Sequence, residues 1–67
     1  MSTVTKRVGT RIADLRRKHN RTQEDIAAGA AINRVTLARI ETGANVSLEL
    51  LARIARALDV TLVDLVR

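Results

Sequence analysis

The sequence predicts an all-α fold, on three observations. Ala and Arg are the commonest of the 67 residues, and together with Leu they make a composition that favours helix. No Pro interrupts the chain, and its three Gly are scattered. Apolar residues recur at helical spacing and nowhere alternate as a half-buried strand requires.

The elements follow in order. Val8, Ile12 and Leu15 stand at i, i+4 and i+7 and define a first helix from about Thr5 to Lys18. Gly9 inside it lowers helix propensity by roughly 1 kcal/mol relative to Ala, which implies a close approach by another segment. Asn20, tolerant of the left-handed conformation, marks its end. Thr22 caps a second helix, with Asp25 at the third helical position and Ile26, Ala27 and Ala30 as its buried stripe. After a break at Ala31-Ile32, Asn33 caps a third helix from Arg34 to about Thr42, with Leu37 and Ile40 facing in and Gly43 ending it. Arg34, Val35, Ala38 and Arg39 point away from that face. Ser47 caps a fourth helix to Leu58, with Leu48, Leu51, Ile54, Ala55 and Leu58 inward. Thr61 and Asp64 open a short last helix, Leu62 to about Val66.

Length and composition bound the rest. At 67 residues the chain predicts one domain, 1–67, near the lower size limit for an unstapled core. Leu, Ile and Val supply 20 residues, too many for a disordered chain. Without Cys there is neither disulfide nor thiolate metal site. No apolar run approaches the roughly 18 residues of a membrane span, and Met1–Lys6 lacks the apolar stretch of a signal peptide. A cytoplasmic protein is expected.

Charge is uneven. Residues 1–39 hold nine basic and three acidic side chains, net +6, while residues 40–67 hold three and four, net −1. That asymmetry points to a polyanion facing the N-terminal half. The chain has no aromatic residue and so no base-stacking platform for single strands, which makes duplex DNA the expected nucleic acid. With one His, no Cys and no metal-spaced cluster, no nucleophile–base constellation can be assembled. The chain is read as no enzyme, with no cofactor and no metal.

Arg11-Ile12 and Leu15-Arg16, Thr22-Gln23-Glu24-Asp25-Ile26-Ala27, Asn33-Arg34-Val35-Thr36-Leu37, Ile40-Glu41-Thr42-Gly43, Ser47-Leu48-Glu49 and Ile54-Ala55-Arg56-Ala57-Leu58 follow one another in this order. In that series the chain from Val8 to Leu65 resembles the lambda-repressor/Cro-type helix-turn-helix family, also called the xenobiotic-response-element family of bacterial regulators. The resemblance implies a five-helix DNA-binding domain with its helix-turn-helix at about 22–42. It departs from the family at Ala31, where Gly is frequent, at Arg21, where an apolar residue usually stands, and at Asn45-Val46, which replaces a frequent Asn-Pro. An Ala in that turn is expected to be strained, so the turn could differ locally.

The resemblance also implies roles. The third helix would lie in the major groove, with Asn33, Arg34, Val35, Ala38 and Arg39 facing base edges. Gln23 would bind a phosphate at the start of the second helix, and Arg17, Lys18, Arg21 and Asn45 would hold flanking phosphates. Arg16 and Glu41 would form a structural ion pair. Leu50, Val63 and Val66, apolar but off the buried stripes, would form a homodimer interface. The expected function is a sequence-specific duplex-DNA-binding transcriptional regulator, acting as a dimeric repressor. Its setting would be phage-type repression, restriction-modification control or an antitoxin with a toxin partner. A protein-interaction adaptor on the same fold is the alternative.

Overall fold

In the computed structural model, which describes residues 3–67, the chain forms α1 (Thr3–Lys18), α2 (Gln23–Ala30), α3 (Arg34–Glu41), α4 (Leu48–Ala57) and α5 (Leu62–Val66). All five lie where the sequence places them, and α1 begins two residues before Thr5. Residues 1 and 2 of the expected 1–67 domain lie outside the described residues.

Helix starts and stops are built from local chemistry. The side chains of Thr22, Asn33, Ser47 and Thr61 each accept a backbone N–H from the first turn they precede, which satisfies an otherwise orphaned donor. Thr22 with Asp25 and Thr61 with Asp64 close reciprocal capping boxes. The first four helices all end in one way. Asn20, Ala31, Gly43 and Asp59 take positive φ, and the next residue donates its N–H to the carbonyl five positions back: Arg21 to Arg16, Ile32 to Ala27, Ala44 to Arg39 and Val60 to Ala55. This is the Schellman arrangement.

The helices pack in a closed circuit, α1 on α3, α3 on α2, α2 on α4, α4 on α5 and α5 back on α1. Each contributes one fully buried side chain to the centre, respectively Ile12, Leu37, Ile26, Ile54 and Leu65. Where α1 meets α3 the approach is backbone to backbone. A Cβ on Gly9 would collide with the Ile40 carbonyl oxygen and lie 2.9 Å from that of Glu41. That explains the glycine within α1.

Two apolar residues depart from expectation. Leu48 does not face inward but is 68% exposed, because it opens α4 before the helix reaches the elements that cover Leu51 and Ile54. Leu50, expected off the core, packs partly against it, while Val63 and Val66 on α5 are exposed. No helix among the described residues is long and apolar enough to cross a membrane.

Candidate nucleic-acid interface

The angle between α2 and α3 is set by Ala31, Ile32 and Asn33. Ala31 adopts the left-handed conformation, φ 57° and ψ 46°, so the turn keeps the geometry that a glycine would give it. Arg53 of α4 braces it, since its Nη2 donates to the carbonyl oxygens of Ala30 at 2.6 Å and Ala31 at 3.0 Å. A guanidinium suits this place, where carbonyls at the end of α2 lack helical partners and carry the negative end of the dipole. Sequence reasoning missed Arg53, which carries no signal distinguishing it from a solvated arginine between Leu51 and Ile54.

From that turn α3 buries Leu37, Ile40 and Glu41. Arg34, Val35 and Arg39 are exposed and Ala38 is half-buried, so these four form the outward face. Asn33 sits at its start. Its Oδ1 accepts the Val35 N–H at 2.7 Å, so the cap uses the oxygen and does not draw on the side-chain amide donors.

Behind this face runs a polar chain through three helices. Glu41, with a side chain only 4% exposed, accepts from Arg16 Nε at 2.8 Å and Nη2 at 3.2 Å, a bidentate pair between α1 and the end of α3. Arg16 Nη1 also donates to the Arg21 carbonyl at 2.9 Å, tying down the loop before α2. Gln23 Nε2 donates to Glu41 Oε1 at 3.0 Å, and Arg34 Nη1 donates to Gln23 Oε1 at 3.3 Å. The link from Gln23 to Glu41 was not foreseen, although both residues were singled out. In this free state the Gln23 amide is fixed by the carboxylate, with one of its two N–H donors unspent. The longer, exposed Arg34 contact is the one easily exchanged for another acceptor.

The candidate DNA-contacting residues fall into groups. Gln23, Arg21 and Arg34 line one open depression at the start of α2, with Glu24 as its anionic member. Arg17, Lys18 and Asn45 are exposed but do not line it. Arg17 stands 3.9 Å from Asp14 on the same helix. Asp25, beside the depression, is held below the usual carboxylate range by the Thr22 backbone N–H and by the Thr22 hydroxyl. It is therefore committed to the cap.

Two helices of this length, joined by a left-handed turn with the second presenting a polar face, define a helix-turn-helix protein. The family model described as Helix-turn-helix matches residues 12–65, most of the chain. The protein belongs to this family, in its Cro/C1-type branch. It is a DNA-binding transcriptional regulator and not an enzyme. Among solved structures, the restriction-modification controller protein C.AhdI from Aeromonas hydrophila is 31% identical with a TM-score of 0.88, the match covering 91% of this chain and 94% of that one. The clp gene regulator ClgR from C. glutamicum shares the fold, with a TM-score of 0.90 at 24% identity, over 97% of this chain and 86% of that one. No curated protein sequence matches.

Proposed function

We propose that this regulator is a repressor acting as a homodimer, with α3 of each copy in the major groove of a two-fold operator. Asn33, Arg34, Val35, Ala38 and Arg39 read base edges. Arg is suited to the paired acceptors of guanine, and Val35 to a thymine methyl. Gln23, Arg17, Lys18, Arg21 and Asn45 bind phosphates and set register. Val63 and Val66, with the uncovered part of Leu50, pair the two copies. The whole chain, 1–67, acts as one cytoplasmic domain. The observation that carries this reading is the outward face of α3, which offers two long exposed donors, Arg34 and Arg39, beside the depression holding Gln23 and Arg21. Likeness to a restriction-modification controller favours that setting over phage-type repression or an antitoxin with a toxin partner.

Selection of bound sequences from random duplexes, followed by binding of the selected operator, tests the proposal. Arg39→Ala should weaken the operator by about 1–3 kcal/mol and relax preference at one base pair. Arg34→Ala should act similarly at a neighbouring position. Arg17→Ala should weaken operator and unrelated duplex alike and flatten the salt dependence by about one unit. Uniform weakening of all sequences by Arg39→Ala would show that α3 does not read bases through that residue. A protein whose duplex binding is insensitive to salt would be acting as an adaptor. For the dimer, a sedimentation weight of one chain at high concentration, unchanged by Val63→Glu, would overturn the interface.

A further inference from the structure

The DNA-facing side does not use all of the positive charge. α1 and α5 enclose a cleft of about 330 Å3, lined by Lys6, Arg7, Arg11 and Arg67. Its one lining carboxylate is Asp14, which already faces Arg17 at 3.9 Å. Arg67 is met by Asp64 at 3.6 Å, so among the described residues the lining cations without a carboxylate partner at ion-pair distance are Lys6, Arg7 and Arg11. Arg11 is fixed across the gap, its Nε donating to the Asp64 carbonyl at 2.8 Å. Lys6 and Arg7 are exposed, and among the described residues no carboxylate lies within ion-pair distance of either. At 1.5 Å per residue Arg7 lies about 16 Å along α1 from Lys18, so this cluster is separate from the cations beside α2.

The floor of the cleft is apolar. Val8 and Leu65 form its base, and Val66, half-exposed, and Val4, 64% exposed, stand at its mouth. We propose that this cleft docks an acidic peptide segment carrying an apolar side chain, supplied by another protein. The apolar side chain lies against Val4 and the aliphatic stems beside it, leaving Val66 to the dimer face, and the carboxylates meet Lys6, Arg7 and Arg11. Three other occupants fit less well. Duplex DNA brings phosphates but nothing apolar for the floor. A small anion has nothing to lay against Val4. A second copy placed across a two-fold axis here would set the same cations against each other. The valine on the proposed dimer face that is most exposed, Val63, does not line the cleft, so the two surfaces are distinct although Val66 borders both.

The test is a nuclear magnetic resonance titration of the full chain with a short synthetic peptide of glutamate and serine containing a central pair of leucines. Saturable shifts at Val4, Arg7, Thr10 and Leu65 are expected. They should vanish when lysine replaces glutamate in the peptide or serine replaces leucine. The paired substitution Lys6→Gln and Arg7→Gln should weaken the peptide about tenfold or more, and leave the preference for operator over unrelated duplex and the sedimentation weight unchanged. It should lower duplex affinity only by the small factor that two fewer charges cost any polyanion binder. Shifts confined to the α2–α3 face would mean that the peptide merely imitates DNA, and would overturn the proposal. So would undiminished peptide binding by the paired variant. A salt dependence flattened by about two units would assign Lys6 and Arg7 to DNA phosphates, and a change in sedimentation would assign the cleft to a second copy. The lysine peptide checks the charge requirement on the unaltered protein, so the result does not depend on how the variant folds.

Discussion

Gly9→Ala separates two physical arguments that predict opposite signs. Helix propensity alone says that Ala in the middle of α1 stabilises the protein by about 1 kcal/mol. The packing says otherwise. The added methyl would strike the Ile40 carbonyl oxygen and lie 2.9 Å from that of Glu41, both backbone atoms near the C-terminal end of α3. No rotamer change can move them aside, so α1 and α3 must part by roughly 1 Å to restore ordinary contact. Overpacking of this kind costs typically about 1–3 kcal/mol even where side chains can adjust, and more where backbone must move. Set against the propensity gain, a net loss of about 2 kcal/mol is expected, a large part of the roughly 3–10 kcal/mol that holds a chain of this size.

For so small a domain that loss corresponds to a melting temperature lower by roughly 8–16 °C. The chain has no aromatic residue, so far-UV circular dichroism is the natural probe of unfolding. Parting the helices also shifts the end of α3 that carries Arg39, and operator binding should fall more than binding to unrelated duplex. Gly29→Ala is the internal contrast. There the new methyl meets the Ala57 Cβ at 3.0 Å and its Cα at 3.7 Å, so α2 and α4 need give only by a few tenths of an ångström, and stability should stay within about 1 kcal/mol of the parent. A Gly9→Ala variant melting at or above the parent temperature would refute the reasoning, because it would mean that α1 and α3 do not approach so closely in solution.

Three further outcomes are expected. Glu41→Ala strands the Arg16 guanidinium and the Gln23 amide in a buried place and should lower stability by about 3–5 kcal/mol in urea titration, whereas an unchanged midpoint would make the pair superficial. Ala31→Gly should raise stability by about 1 kcal/mol by relieving a left-handed alanine, and it should recover part of what Arg53→Ala loses; a destabilised Ala31→Gly would show that Ala31 is not left-handed. Asp25 and Asp64 are both held below the usual carboxylate range by threonine backbone N–H and hydroxyl groups, so their folded forms bind protons less readily than the unfolded chain. The stability they confer is fully present above the ordinary carboxylate pKa near 4 and is lost as pH falls through the lower folded values. Melting from pH 6 down to pH 2 should show a decline that is shallower in the variant combining Asp25→Asn and Asp64→Asn.

What was legible in the sequence was local. A capping threonine and the aspartate three residues on are neighbours in the chain, so Thr22 with Asp25 and Thr61 with Asp64 could be read directly. The buried stripes followed for the same reason, because helical periodicity places Ile12, Ile26, Leu37 and Ile54 without knowledge of what covers them. The five-residue last helix is too short to show a period, and its buried Leu65 was not singled out. Leu48 failed where periodicity has no purchase, at the first residue of a helix, beyond the edge of its cover. Arg53 and Arg11 were invisible because each donates to a main-chain carbonyl on another helix, and a carbonyl has no residue type to pair with. The basic N-terminal half was read as one charge, yet a helix of 16 residues carries its two ends to different sides of so small a body.

The same distinction explains why Ala31 can stand where the family often has glycine. Of the four residues at left-handed stops, Asn20, Gly43 and Asp59 are types that adopt this conformation readily, and only Ala31 is not. It is also the one whose stop lies within the helix-turn-helix, where a change of angle would re-aim α3. The expectation that this turn would differ locally fails because its strain is opposed from outside the motif, by the Arg53 guanidinium on the carbonyls of Ala30 and Ala31 and by Ile32 packed against the core. Glu41 plays the corresponding part at the other end of α3, where it fastens the helix to Arg16 and sets the direction of the Gln23 amide on which Arg34 rests. The outward face of α3 is therefore held at both ends by residues that do not point outward. Substitutions at Arg53 or Glu41 should change recognition as well as stability, whereas exposed Arg39 should change recognition alone.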